Sequence, residues 1–149
     1  MTHHQFLFVP GRWVGAGKIT FSNSDELLRF YTSWMLTPEA EGEMYCNQRV
    51  ELQGVDEQIL NSLKVYDVTE SEFKIDLESA PAGIVTGKGI IDPKMISWEF
   101  HGTGSIEGFE VYELQDNGDY MVHAEYSIAG IFSTCVDGRI WRKETGPVL

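Results

Sequence analysis

The stretch FEVYELQDNGDYMVHAEYSI, residues Phe109 to Ile128, decides the fold. Its second half alternates: Tyr120, Val122, Ala124, Tyr126 and Ile128 are apolar or aromatic, with Met121, His123, Glu125 and Ser127 between them. A period of two sends successive side chains to opposite faces, so this segment is a strand with one apolar and one wet side. Before it stands Asp116-Asn117-Gly118-Asp119. Asn-Gly is the strongest short-range hairpin signal, because a two-residue type I′ turn needs a left-handed backbone at both central positions. Such a turn pairs Asp116 with Asp119. It predicts Val111 opposite Ala124, Phe109 opposite Tyr126 and Glu110 opposite Glu125. Glu99, Glu110 and Glu125 then line the wet face.

The same period recurs outward from this hairpin. Met44, Cys46, Gln48, Val50 and Leu52 alternate with polar partners, as do Phe73, Ile75 and Leu77, and Ile96, Trp98 and Phe100. Gly54, Pro81-Ala82-Gly83, Asp92-Pro93, Gly102-Thr103-Gly104 and Asp137-Gly138 separate them. The pattern gives about nine or ten strands joined by short turns. One segment reads otherwise. Ser22 to Glu26 offers helix caps, and Leu27, Leu28, Phe30, Tyr31 and Trp34 follow at helical spacing, which predicts a short helical segment near 23–36, with a strand left open by the aromatic and β-branched content of Phe30-Tyr31-Thr32. A long meander with one apolar face hides it either against a second sheet or by closing into a barrel, and the barrel is the expected solution because it also removes edges. Gly15, Gly17, Gly87 and Gly89 supply the bending that closure needs. The expected fold is therefore all-β, an antiparallel up-and-down barrel forming a single domain over 1–149.

The chain has 149 residues, 42% hydrophobic, and a formal net charge of −12. That composition buries a core. It also repels phosphate, so neither nucleic acid nor an anionic membrane is an expected partner. No apolar run approaches the roughly 20 residues that span a bilayer, and the first residues lack a basic, then apolar, leader pattern. The expected location is the cytoplasm, with Cys46 and Cys135 as free thiols.

Pro10-Gly11-Arg12-Trp13 at the start of the first strand, with Arg139-Ile140-Trp141-Arg142-Lys143 near the end, resembles the calycin superfamily of lipocalins, fatty-acid-binding proteins and nitrobindin-like barrels. The resemblance implies that Trp13 plugs one end of a barrel and that Arg142 packs across it. The fatty-acid clamp Arg-x-Tyr is replaced here by Arg139-Ile140-Trp141. No histidine lies between Ile131 and Leu149, where nitrobindin-like barrels carry a haem ligand. No cofactor is therefore expected.

Other constellations are weak. His101 and His123 with Glu99 and Glu125 could hold a metal, but the expected register puts them on an open outer face, so no metal site is expected. No Gly-x-Ser-x-Gly nucleophile occurs. Gly15-Ala16-Gly17 and Gly87-Lys88-Gly89 lie inside strands, not between strand and helix, so they are not phosphate loops. The N-terminal His3 and His4 are expected to be loose. The aromatic face is the informative feature. These rings either fill the barrel as packed core or line a cavity, in which case Phe73, Trp98, Phe100, Phe109, Val111, Tyr120 and Tyr126, with Gln48 and Cys46 as sparse polar contacts, form the candidate ligand-binding set. The expected function is non-catalytic binding of a small apolar or aromatic ligand in the lumen. Two alternatives stand beside it: a barrel isomerase or cyclase using Glu113 as a lumenal carboxylate, and an acidic surface that meets a basic partner.

Overall fold

The computed structural model describes residues 4–79, 83–101, 106–128 and 132–143. Ten strands follow one another: β1 (Gly11–Phe21), β2 (Leu27–Pro38), β3 (Met44–Leu52), β4 (Gln58–Tyr66), β5 (Glu72–Ser79), β6 (Gly83–Asp92), β7 (Met95–His101), β8 (Ile106–Leu114), β9 (Tyr120–Ile128) and β10 (Phe132–Arg142). Each pairs antiparallel with its neighbours in sequence, and β1 pairs with β10, so the meander closes as a barrel. Closure leaves no open edge among the described strands.

The helix expected near 23–36 is absent, and β2 occupies most of that span. Phe30, Thr32, Trp34 and Leu36 are at most 7% exposed, while Tyr31 is 64% and Met35 37% exposed. That is a period of two. Apolar residues on both faces of β2 created the accidental helical spacing, and the β-branched and aromatic content of Phe30-Tyr31-Thr32 favours a pleated strand. The cap-like residues make the hairpin turn instead, where the Glu26 N–H donates to Ser24 Oγ at 3.0 Å.

The β8–β9 register differs by one residue from the expected one. Phe109 lies opposite Glu125, Glu110 opposite Ala124 and Val111 opposite His123. The turn is the cause. The Gln115 N–H donates to Asp119 O at 2.8 Å and the Gly118 N–H to Gln115 O at 3.1 Å. Gly118 sits at φ 91°. Asp116-Asn117-Gly118 is thus a three-residue loop, with glycine in the left-handed position that such loops require. One extra turn residue exchanges the two faces of β8. Glu110 and Tyr112 point inward; Phe109, Val111 and Glu113 point outward.

The segment before β1 fills one end of the barrel. Phe6 and Leu7 are fully buried. The Phe6 ring meets those of Trp13, Trp34, Tyr112 and Tyr120 at centroid distances of 5.3, 5.2, 5.1 and 5.6 Å. His4 is not loose. Its Nε2–H donates to Asp92 O at 2.6 Å and its Nδ1 accepts from the Tyr120 hydroxyl at 2.7 Å. Leu7 pays for the tight reversal with a left-handed backbone at φ 77°, a strain on the order of 1 kcal/mol. His3 lies outside the described residues. Trp13 and Arg142 stand opposite each other in the β1–β10 pair, and Arg142 Nη1 donates to Gln5 Oε1 at 2.7 Å. Both therefore belong to the plugged end.

Candidate functional site

Beyond the plug the lumen changes character. Inward-facing Ile19, Leu28, Val50, Leu77, Val85 and Val136 are only partly buried, and Ile59 is 43% exposed. In the plugged half, Trp13, Trp34, Leu36, Ile96 and Tyr120 are 3% exposed or less. The apolar wall of the second half is thus less buried than that of the plugged half.

Glu110 sits where the two halves meet. The Tyr112 hydroxyl donates to Glu110 Oε1 at 2.6 Å, and the Tyr126 hydroxyl donates to Glu110 Oε2. Tyr112 in turn stacks on Trp98, with centroids 4.8 Å apart and planes 22° from parallel. Trp98 meets the Phe73 ring edge-on at 6.3 Å. Local sequence makes this arrangement possible. Gly108 lies opposite Tyr126, and a Cβ on it would fall 2.2 Å from the Tyr126 ring. The ring lies over the glycine, and its hydroxyl reaches the carboxylate two residues along the strand. Gly89 makes the same accommodation for Phe73, whose ring would lie 2.1 Å from an added Cβ.

The electrostatics are unusual for a carboxylate. Burial raises the Glu110 pKa above its ordinary value and outweighs the two tyrosine hydroxyls, which lower it. The Trp98 indole N–H lies close enough to Glu110 to favour its charged form, while Nε1 is buried and makes no hydrogen bond of full geometry among the described residues. Glu110 and Tyr126 face inward by the alternation of their strands and are partly buried. Burial, and then the Glu110 charge, push both tyrosine hydroxyls well above their ordinary range, so both remain donors. Across the barrel wall a second polar line crosses β2–β4. Asn61 Nδ2 donates to Gln48 Oε1 at 3.0 Å, and Gln48 Nε2 donates to Thr32 Oγ1 at 3.3 Å.

The structure thus brings Phe73, Trp98, Phe100, Tyr126, Gln48 and Cys46 to the inner wall, and puts Tyr120 in the plug. Burial raises the Cys46 thiol pKa to about 12, so it acts as a small apolar group. Phe109 and Val111 are corrected: they line an outer groove of about 500 Å³ with Lys74, Lys88, Ser97 and Glu99. Glu113 is exposed and has no part in the lumen. The side chain of His101 lies outside the described residues. Glu110 and Tyr112 were missed because β8 carries bulky groups on both parities, so only the length of the turn tells which face is inner.

No protein-family model matches the chain, and no curated protein matches it in sequence. Among solved structures, the S-type phycobiliprotein lyase CPES from Guillardia theta superposes with a TM-score of 0.70 at 12% identity, covering 91% of this chain and 89% of that one. A de novo designed fluorescence-activating β-barrel covers 93% of this chain and 97% of its own, at 10% identity and a TM-score of 0.44. A designed barrel bound to DFHBI covers 91% and 94%, at 15% identity and a TM-score of 0.45. At these identities the likeness to the lyase extends to the fold: the chain is a ten-stranded antiparallel barrel of similar shape.

Proposed function

We propose that this protein is a divergent calycin-like barrel that binds a small, largely apolar ligand in the unplugged half of its lumen. The observation that carries this reading is the inward-facing Glu110 carboxylate, which two tyrosine hydroxyls hold at the foot of an aliphatic wall that is only partly buried. A ligand with an N–H or O–H donor for Glu110 adds a partner to the carboxylate. The aliphatic wall takes its apolar body. Among the described inward-facing residues of this half there is no Lys or Arg to neutralise an anionic head. Neutral or cationic ring compounds therefore fit better than fatty acids.

The test is a titration of wild-type protein and Glu110→Gln with a panel of fatty acids, retinoids, tetrapyrroles and aromatic dyes, followed by tryptophan quenching and thermal melting. The expected result is saturable one-to-one binding of a neutral or cationic ring compound, weakened about tenfold or more in E110Q, as loss of a charge-assisted hydrogen bond requires. A panel that leaves both signals unchanged, or a compound bound equally by E110Q, defeats the proposal.

A second reading rests on the raised Glu110 pKa. A carboxyl that holds its proton to higher pH suits general acid–base work on a bound ligand, which restores the isomerase or cyclase alternative with Glu110 in place of Glu113. Turnover of a bound compound that rises or falls through one titration and vanishes in E110Q separates catalysis from binding alone.

A further inference from the structure

Away from the lumen, the outer faces of β9 and β10 bring four ligating side chains together. Asp137 lies opposite His123 and Cys135 opposite Glu125. His123 Nδ1 is 2.7 Å from Asp137 Oδ1, and Cys135 Sγ is 3.7 Å from Asp137 Oδ2. The donor atoms of His123, Cys135 and Asp137 all lie within 4.8 Å of one another.

The geometry points to a divalent-metal site of the zinc class formed by His123 Nδ1, Cys135 Sγ and the Asp137 carboxylate. In a tetrahedral zinc sphere, Zn–N and Zn–O bonds of about 2.0–2.2 Å and Zn–S of about 2.3 Å place neighbouring donors about 3.3–3.7 Å apart. The three donors bracket that spacing, and shifts of about 1 Å close the set. Glu125 completes the arrangement from behind. Its Oε2 lies 2.8 Å from His123 Nε2, so it holds the far ring N–H and leaves Nδ1 as the ligating nitrogen, as carboxylates do behind zinc-bound histidines. One nitrogen, one sulfur and one oxygen select a borderline cation over magnesium or calcium. Three protein ligands leave a fourth position for water or an incoming donor. Cys46 plays no part, being fully buried in the wall. The rival occupant is a proton: both His123 nitrogens face carboxylates, so an imidazolium fits the same space.

Cobalt(II) is the direct probe, added to the metal-free full-length chain without an affinity tag. The expected result is a thiolate-to-cobalt charge-transfer band that saturates at one equivalent and is bleached by zinc. Cys135→Ser abolishes the band and Asp137→Asn weakens binding at least tenfold. Glu125→Gln weakens it about 10–100-fold, and Cys46→Ser leaves it intact. All four variants are checked for native melting. Absence of the band in wild-type protein, a band that survives C135S, or one lost in a folded C46S overturns the site and leaves the proton as the occupant.

Discussion

The two halves of the lumen use the same alternating strands for opposite ends. In the plugged half, Phe6 locks rings from β1, β2, β8 and β9 together, and nearly every inward side chain is buried. In the other half the described wall is aliphatic, only partly buried, and ends on a carboxylate whose pKa burial raises. The difference teaches where stability and function lie in a small barrel. Packing is completed where the N-terminal segment returns, and polar groups whose cost is not fully met by the protein are kept where it does not.

The largest effect that would break this comparison is at Phe6. Phe6→Ala should cost about 3–5 kcal/mol by thermal or denaturant unfolding, the usual loss for a fully buried ring. Val136→Ala in the other half should cost about 1 kcal/mol or less, because a partly exposed side chain surrenders little transfer energy. Equal losses at the two positions would mean that the halves are packed alike.

Gly108→Ala comes next. Its Cβ would fall within the Tyr126 ring, so the ring must move, and overpacking of this kind costs about 1–3 kcal/mol. The shift also carries the Tyr126 hydroxyl away from Glu110, so ligand affinity should drop in the same variant. A G108A protein with unchanged stability and binding would show that Tyr126 has room to spare.

Glu110→Gln sharpens the comparison through pH. A carboxyl whose folded pKa is raised costs no stability below its unfolded value, about 4.3. It costs progressively more as pH rises from there through the folded pKa. E110Q should therefore melt higher than wild type at alkaline pH, and the difference should shrink to nothing in acid. A substitution that weakens ligand binding while raising stability marks a functional group. Lower stability of E110Q across the whole range would mark Glu110 as structural. The smallest effect is at Glu113, on the same strand but outside. Glu113→Gln should change stability by less than about 0.5 kcal/mol and leave binding as it was, measured in the same titrations.

Much of this was legible in the chain. Period-two patterns and turn residues gave the barrel, and the inward set Phe73, Trp98 and Phe100 followed from them. Two features were not legible. Leu27 to Leu36 carries apolar groups on both strand faces, which imitates a helix until the cross-strand partners are known. Asn117-Gly118 signals a hairpin equally well with two or three loop residues, and that single residue decides whether Glu110 or Phe109 is inside. The plug was hidden for a different reason: Phe6 and Leu7 belong to no periodic segment, so only the closed end of the barrel explains them. The outer His123–Cys135–Asp137 cluster needed the β9–β10 register, which no local pattern supplies.

The most direct test of the central claim is a carbon-13 NMR titration of the Glu110 side-chain carboxyl, assigned with E110Q. A carboxyl facing the low-dielectric lumen should titrate clearly above the ordinary glutamate value of about 4.3, and its signal should move when a lumenal ligand is added. Titration at or below that value, with no response to ligand, would place Glu110 in water and remove the site.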